Sequence, residues 1–269
     1  MSLNLDLPYH SSESLLFCFK DQKLFVKKEE DRVLIPSGKD ILQLKIEHSR
    51  PFFIGSLNHR PCFCAQADVL VSEHRHFGLH GLRELFEHLS QKLFKMASLG
   101  LQFNNWDQVS TFCGKCGYRL HMMKTECAKK CLSCGHVEYH RISPAVIMAV
   151  TRGHEILLAR PKRIKSGFYS VLAGYVEFGE TLEECVEREI QEEVGLSVRN
   201  VRYFGSQSWP FTNSLMIAFT TEYASGKIRI QKSEIIDAAW FTPDNLPPLP
   251  GWGSISRCLV DSFVKMNAD

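Results

Sequence analysis

The chain has 269 residues, of which 44% are hydrophobic and 23% charged, a composition that argues against long disordered regions. Its 32 Lys and Arg against 30 Asp and Glu leave a formal charge of +2. Such a balance excludes broad electrostatic attraction to nucleic acid or anionic lipid and leaves room only for local basic patches. The opening residues, Met1-Ser2-Leu3-Asn4-Leu5-Asp6, lack the basic and apolar regions of a secretory signal. The longest apolar run, residues 144–150, is too short to span a bilayer. The final residues, Met266-Asn267-Ala268-Asp269, match no common retention or peroxisomal signal. These features predict a cytoplasmic protein with no membrane partner, in which ten cysteines stay reduced or bind metal.

In chain order, short apolar runs come first: residues 15–19, 23–26, 41–46 and 62–70. Turn residues such as Pro36-Ser37-Gly38 separate them, which predicts a small strand-rich domain. An amphipathic helix is predicted over residues 79–96, with Leu82, Leu85, Phe86, Leu89 and Leu93 at helical spacing. This first domain is placed at residues 1–108, and a compact Cys-, Gly- and Lys-rich module follows at 109–142. The third domain, 143–269, carries strand-like runs at 145–150, 155–159, 214–220 and 238–241. Helices are predicted there at 181–194 and 254–265. Strands and helices mixed in this way predict an α/β sandwich around a mixed sheet.

Within the middle module, Cys113-Gly114-Lys115-Cys116 and Cys131-Leu132-Ser133-Cys134 form two C-x2-C pairs. The glycine after each pair, Gly117 or Gly135, lets the backbone turn so that both sulfurs face one point. Four thiolates suit tetrahedral Zn²⁺, and a site filled by four Cys has no open position, so the zinc is expected to be structural. The alternative is four unrelated thiols. Cys127 lacks a C-x2-C partner and reads as a bystander. Cys18, Cys62, Cys64, Cys185 and Cys258 read as ordinary thiols.

The densest chemistry lies between Gly174 and Leu196. Thr181 with Glu184 forms a capping box, and Gly195 is a natural helix stop. At 100° per residue, Leu182, Cys185, Val186 and Ile190 make an apolar stripe. Glu189 and Glu193 fall within that stripe and Glu192 on its edge; Glu183, Glu184, Glu187, Arg188 and Gln191 fall on the wet side. Two carboxylates about 4 Å apart repel by ~4 kcal/mol at an effective dielectric near 20, and carboxylates at a helix C-terminus oppose its dipole. Divalent cations would remove that cost, and oxygen ligands of this kind suit Mg²⁺ or Mn²⁺. The alternative is a solvated acidic helix, which explains the outer glutamates but not the inward ones.

This segment resembles the Nudix box, G-x5-E-x7-R-E-U-x-E-E-x-G-U with U aliphatic. Gly174, Glu180, Arg188, Glu189, Ile190, Glu192, Glu193, Gly195 and Leu196 all match. The resemblance implies the Nudix α/β/α sandwich and hydrolysis of a nucleoside diphosphate linked to another group. It also implies that Glu189, Glu192 and Glu193 hold the catalytic metal, with the Ala173 carbonyl completing the coordination, and that Glu180 and Arg188 form a structural pair.

Downstream, Ser206-Gln207-Ser208-Trp209-Pro210-Phe211-Thr212-Asn213-Ser214 reads from its residues alone as a strand–turn–strand corner or as an aromatic surface for a flat ring. It is similar to S-Q-P-W-P-F-P-x-S, the signature of the NADH pyrophosphatase subfamily, which also removes NAD caps from RNA; here Ser208 and Thr212 stand in place of two prolines. That resemblance implies hydrolysis of NADH or NAD to NMN(H) and AMP, and substrate contacts from Gln207, Ser208, Trp209, Pro210, Phe211, Thr212, Asn213 and Ser214. It further implies Glu234 as an extra metal ligand, Glu193 or Glu192 as the group acting on the attacking water, and a homodimer. Tyr139 and Glu126 from the cysteine module, Tyr175, Ser256, Lys28 and Arg83 are implied as further substrate contacts, with core packing the alternative for each aromatic. The competing functions are a Nudix hydrolase of another nucleoside diphosphate derivative, such as ADP-ribose, or a zinc-ribbon nucleic-acid-binding protein without hydrolysis.

Overall fold

A computed structural model describes residues 9–30, 32–69, 76–162 and 167–268. The N-terminal stretch searched above for a signal, Leu70 at the end of one apolar run, and Asp269 lie outside the described residues. The chain forms two compact units that divide between Arg141 and Ile142.

In the first unit, strands β1 (Leu15–Lys20), β2 (Lys23–Glu29) and β3 (Arg32–Leu34) precede helix α1 (Gly38–Gln43). Then come β4 (Glu47–His48), β5 (Phe52–Leu57), β6 (Arg60–Val69) and β7 (Phe77–Gly81). Together they make a seven-stranded sheet of order β3-β2-β1-β6-β4, with β5 on β6 and β7 on β2. Helix α2 (Gln91–Val109) follows, and then a three-stranded sheet of β8 (Leu120–Met122), β9 (Ala128–Cys131) and β10 (Val137–Tyr139).

Two local expectations are corrected here. The helix predicted over residues 79–96 is replaced by β7, a run of turns and α2. Leu79 pairs with Phe25 of β2, and backbone bonds such as Leu85 N–H to Gly81 O and Leu89 N–H to Leu85 O form successive turns. Those turns bury Leu82, Leu85 and Leu89, the same positions a helix would have buried. Ser90 then starts α2 by accepting from the Leu93 N–H at 3.3 Å. The apolar run at 41–46 is likewise partly helical, because Ser37 and Asp40 form a reciprocal capping box that nucleates α1.

The second unit contains β11 (Ser143–Arg152), β12 (Glu155–Pro161), β13 (Leu172–Tyr175), α3 (Leu182–Val194), β14 (Leu196–Trp209), β15 (Ser214–Gly226), β16 (Ile235–Phe241) and α4 (Ile255–Met266). Its sheet runs β14-β15-β11-β12-β16, with β13 on β11. β11 pairs parallel to β15 and antiparallel to β12 and β13, so the sheet is mixed. Alternation along β11 shows how the layers form. Val146, Met148 and Val150 join Cys185, Val186, Ile190 and Val194 of α3 in one core. Ile147 and Ala149 join Leu259, Val260 and Phe263 of α4 in the other. A central strand buried on both faces needs apolar residues at every position, which explains the unbroken run at 145–150. The α/β/α sandwich is therefore present. The 14-residue β14, whose side chains are mostly exposed or half-buried, went unpredicted, since it lacks a continuous apolar run.

Candidate active site

Helix α3 presents the carboxylates. Thr181 caps its first turn and Glu184 returns the bond to the Thr181 N–H at 2.8 Å; Gly195 ends it in the left-handed conformation at φ 71°. Glu193 is buried at 6% exposure, and the Glu189 side chain is 12% exposed. Glu192 differs from the expectation of an inward group: its side chain is 53% exposed, because it falls just outside the stripe that packs on the sheet. Arg188, expected on the wet side, instead folds over the helix. It reaches Glu180 Oε1 at 2.5 Å, Glu189 Oε1 at 2.9 Å and Glu192 Oε2 at 3.0 Å, and donates to the Tyr175 carbonyl at 2.9 Å. One guanidinium thus offsets part of the negative charge that sequence reasoning left for dications alone. Burial pushes the Glu189 carboxyl above its ordinary value, Arg188 pulls it down, and the charges of Glu192 and Glu234 push it up again.

Glu234 reaches this neighbourhood through the backbone. The Gln231 N–H bonds to the Glu193 carbonyl at 2.9 Å and the Arg229 N–H to the Val194 carbonyl at 2.8 Å. Those bonds satisfy orphan carbonyls at the end of α3 and dock the turn that carries Glu234. Ala173 lies on β13 opposite Ile147. Its neighbour Gly174 is fixed by space, since a methyl group there would overlap the Glu189 carboxyl. Gly174→Ala must swing that flexible carboxyl aside while the strand stays paired. The expected result is a melting temperature within a few degrees of the parent and a loss of about 10²-fold or more in kcat, checked by calorimetry and turnover on one preparation.

The Glu180–Arg188 pair makes a separate pH prediction. Hydrogen bonding to Arg188 holds the Glu180 carboxyl at about 2, against an ordinary value of 4.5. A carboxyl depressed in the folded state stabilises it above the unfolded value, and the contribution fades as pH falls through the folded one. Glu180→Gln should therefore lower stability near neutrality, and the gap from the parent should close between about pH 4.5 and 2. Denaturant titrations at several pH values measure it.

The segment 206–214 is a hairpin. Ser206–Trp209 ends β14, and Ser214 opens β15 opposite Trp209. Pro210 is buried at the turn, Trp209 and Phe211 meet edge to face at 4.9 Å, and Asn213 takes the left-handed φ of 54° that Asn tolerates. The Gln207 amide is engaged by the start of α4: its Nε2 donates to the Gly253 carbonyl at 2.9 Å, and its Oε1 accepts from the Ile255 N–H at 2.8 Å. Sequence reasoning missed this clamp, because a pair 48 residues apart leaves no local signal. Ser208 is exposed. Ser214, almost fully buried, lies 3.2 Å from Tyr175 Oη and 2.9 Å from Thr212 Oγ1. The Thr212 hydroxyl thus braces the turn at a position where the signature has a proline. Ser256 is buried, with its hydroxyl 2.8 Å from that of Ser170.

In the first unit, Tyr139 Oη donates to Glu126 Oε2 at 3.2 Å, so these two candidates meet. Lys28 and Arg83 stand at opposite ends of the β2–β7 pairing. Lys28 follows the β2 residue paired with Phe77, while Arg83 lies two residues past Gly81, the partner of Lys23. Five residues of strand, roughly 17 Å, separate the two ends.

The four cysteine sulfurs of Cys113, Cys116, Cys131 and Cys134 lie within 4.8 Å of one another. Among the described residues they are the one such group of three or more metal-binding side chains; Glu189, Glu192, Glu193 and Glu234 are not drawn together to that degree. The Cys113–Cys134 and Cys116–Cys131 separations are 3.7 and 3.5 Å. A tetrahedron with metal–sulfur bonds of 2.3 Å has edges of about 3.8 Å, so these sulfurs fit a metal of that kind. Both knuckle glycines are left-handed, Gly117 at φ 73° and Gly135 at 75°. The Cys134 N–H helps bring the Cys131 thiol down to about 7. The Tyr118 N–H lowers the Cys116 thiol, but the Cys134 and Cys131 sulfurs outweigh it and leave it at about 12.

Comparison with known proteins agrees with this geometry. Residues 141–263 match the NUDIX domain model, and residues 13–106 match the NADH pyrophosphatase-like rudimentary NUDIX domain model. The chain is 43% identical over 218 residues to the NAD-capped RNA hydrolase NudC of Vibrio vulnificus (strain CMCP6), covering 80% of this chain and 82% of that protein. It is also 43% identical over 211 residues to the NAD-capped RNA hydrolase NudC of Stutzerimonas stutzeri (strain A1501), covering 78% and 76%. Among solved structures, a NUDIX hydrolase from Nitrosomonas europaea superposes with a TM-score of 0.51 at 18% identity, covering 59% of this chain and 92% of that one, a likeness of fold. This chain therefore belongs to the Nudix hydrolases, in the NADH pyrophosphatase-like group that includes the NudC proteins.

Proposed function

We propose that the protein hydrolyses the pyrophosphate bond of NADH and NAD to NMN(H) and AMP, and removes NAD caps from RNA by cutting the same bond. The observation that carries this reading is the intact α3 carboxylate set, with Glu234 docked beside it, in a chain related over four-fifths of its length to a NAD-capped RNA hydrolase. Glu189, Glu192, Glu193 and Glu234, with the Ala173 carbonyl, offer hard oxygen donors that fit Mg²⁺ or Mn²⁺. When bound, such ions neutralise charge developing on the phosphates and acidify a bound water. Glu193, buried and backed by the α3 core, takes the proton from the attacking water. Arg188 holds Glu189 and Glu192 in place and restrains their mutual repulsion. Trp209, Phe211 and Tyr175 supply the aromatic surface for the base and nicotinamide rings, while the Gln207 clamp fixes that hairpin to the start of α4.

The four cysteines hold structural Zn²⁺. Ten reduced cysteines support a cytoplasmic setting, and among the described residues no helix is long and apolar enough to cross a membrane. The family relationship supports a homodimer. The test is turnover of NADH against ADP-ribose at equal Mn²⁺. Preference for NADH by at least tenfold in kcat/KM supports the proposal, and preference for ADP-ribose overturns the substrate.

A further inference from the structure

The two units, each taken by itself, follow one strand plan. In the first, β1 runs parallel to β6 and antiparallel to β2, while β5 pairs with β6 and β7 with β2. In the second, β11 runs parallel to β15 and antiparallel to β12, while β14 pairs with β15 and β16 with β12. The orders β5-β6-β1-β2-β7 and β14-β15-β11-β12-β16 therefore correspond. The helices correspond as well. α1 and α3 each start on a capping box, Ser37 with Asp40 and Thr181 with Glu184, and α2 and α4 each start on a capping serine, Ser90 and Ser254. In the second unit, β13 just ahead of α3, the β14–β15 turn and the start of α4 adjoin one another at the hydrolytic site.

The corresponding end of the first unit holds a cavity of about 440 Å³, bounded by the turn into α1, the β5–β6 turn and the start of α2. Its size falls in the range of small-molecule sites, roughly 300–1,000 Å³. The β5–β6 turn is tight: Leu57 pairs with Arg60 across Asn58 and His59, which are left-handed at φ 50° and 64°. The charge on the lining is one-sided, with Lys27, Arg60 and Lys92 against Asp40 alone. The Asp40 carboxylate already accepts from the Ser37 N–H at 2.8 Å and the Ser37 hydroxyl at 2.6 Å. Lys27 pairs with Glu29, and Arg60 donates to the Glu13 and Ser12 carbonyls. Among the described residues no carboxylate pairs with Arg60 or Lys92. Ile35, Leu57 and Leu93 supply an apolar wall. Cations beside an apolar wall suit an anion carried on an organic body.

The catalytic carboxylates have no counterpart in this place. α1 ends at Gln43 after six residues, whereas Glu189, Glu192 and Glu193 lie in the later turns of the longer α3. A phosphate in the first unit would meet cations directly, with no dication held there to activate water. We infer that this cavity binds a nucleoside monophosphate without hydrolysing it. Arg60 and Lys92 hold the phosphate, and the apolar wall faces the nucleoside. The anion follows from the lining; the nucleoside rests on the hydrolase reading above, through the shared strand plan. AMP and NMN, the products of the proposed reaction, are of this class.

The test titrates AMP into the zinc-loaded, full-length protein without added Mg²⁺ or Mn²⁺ and follows hydrogen exchange segment by segment. AMP should slow exchange at the β5–β6 turn, residues 57–60, and in the first turn of α2, residues 90–94. Lys92→Glu should raise the Kd read from those segments by about tenfold or more. Lys92 is exposed at the second position of α2, where a carboxylate suits the helix dipole, so the fold and NADH turnover should stay parental. Adenosine or inorganic phosphate alone should bind there at least about tenfold more weakly than AMP. Absence of AMP protection in these segments would overturn the assignment, as would equal affinity in parent and Lys92→Glu. Inorganic phosphate binding as tightly as AMP would overturn the nucleoside part. AMP protection that Lys92→Glu removes, in a protein that leaves NADH uncut in the presence of Mn²⁺, would contradict the proposed function and uphold the cavity.

Discussion

Glu193→Gln is expected to lower kcat on NADH by about 10²–10⁴-fold with little change in melting temperature. The substitution keeps volume and shape at a position that is 6% exposed, so the packing of α3 against β11 is preserved. What is lost is a negative oxygen able to accept a proton and to ligate a dication. The same exchange at Glu187, an exposed residue on the outer side of α3, should leave turnover within about twofold, which separates position from mere loss of one charge. Steady-state kinetics on both variants, with calorimetry, decide it. A Glu193→Gln enzyme with near-parental kcat would remove Glu193 from the proton transfer.

The second large effect is on the cysteine cluster. Cys131→Ser, or stripping the metal with a strong chelator, is expected to unfold the module around β8–β10. Its apolar core is small, consisting of Cys113, Leu120 and Cys131 with Cys134 packed against them. Both ladders of the small sheet, β8 with β9 and β10 with β9, run through β9, the strand that Cys131 ends. Zinc–thiolate sites supply apparent folding free energy of about 10–16 kcal/mol, far more than so small a core provides. The loss should reach α2, because Lys129 of β9 packs on Trp106 at 5.3 Å and ties to Asp107. Hydrogen exchange reports this directly. Protection should vanish across residues 120–139 and weaken at the C-terminal turn of α2. Unchanged protection in a protein shown to be free of metal would mean that the cysteines do not depend on metal for their fold.

Much of this was legible because the decisive signals are local. The α3 capping box, the Gly195 stop and the two knuckle glycines each depend on residues within a few positions, and each takes the backbone conformation its type favours. The β11 run was readable because a strand buried on both faces writes itself as unbroken apolar sequence. Other features were hidden by degeneracy or distance. Leu82, Leu85 and Leu89 recur at helical spacing, yet successive turns bury them equally well, and only Ser90 and the pairing of β7 with β2 settle the matter. The pairing of Arg188 with Glu180, eight residues earlier, came from the resemblance alone, and its reach to Glu189 and Glu192 was missed because angular position on a helix ignores the length of the side chain. The Gln207 side-chain clamp on the start of α4 and the backbone bonds that dock the Glu234 turn at the end of α3 are long-range contacts that no spacing rule records.

The catalytic claim is tested most directly by products as a function of metal. The zinc-loaded protein is incubated with NADH in a weak chelator that holds free Mg²⁺ and Mn²⁺ near zero, and Mn²⁺ is then titrated in. NMNH and AMP should be absent at first and then appear in equal amounts, saturating with Mn²⁺ in the parent and not in Glu189→Gln. Equal product without free divalent cation, or no AMP at any Mn²⁺ concentration, would contradict a metal-assisted pyrophosphate hydrolysis built on the α3 carboxylates.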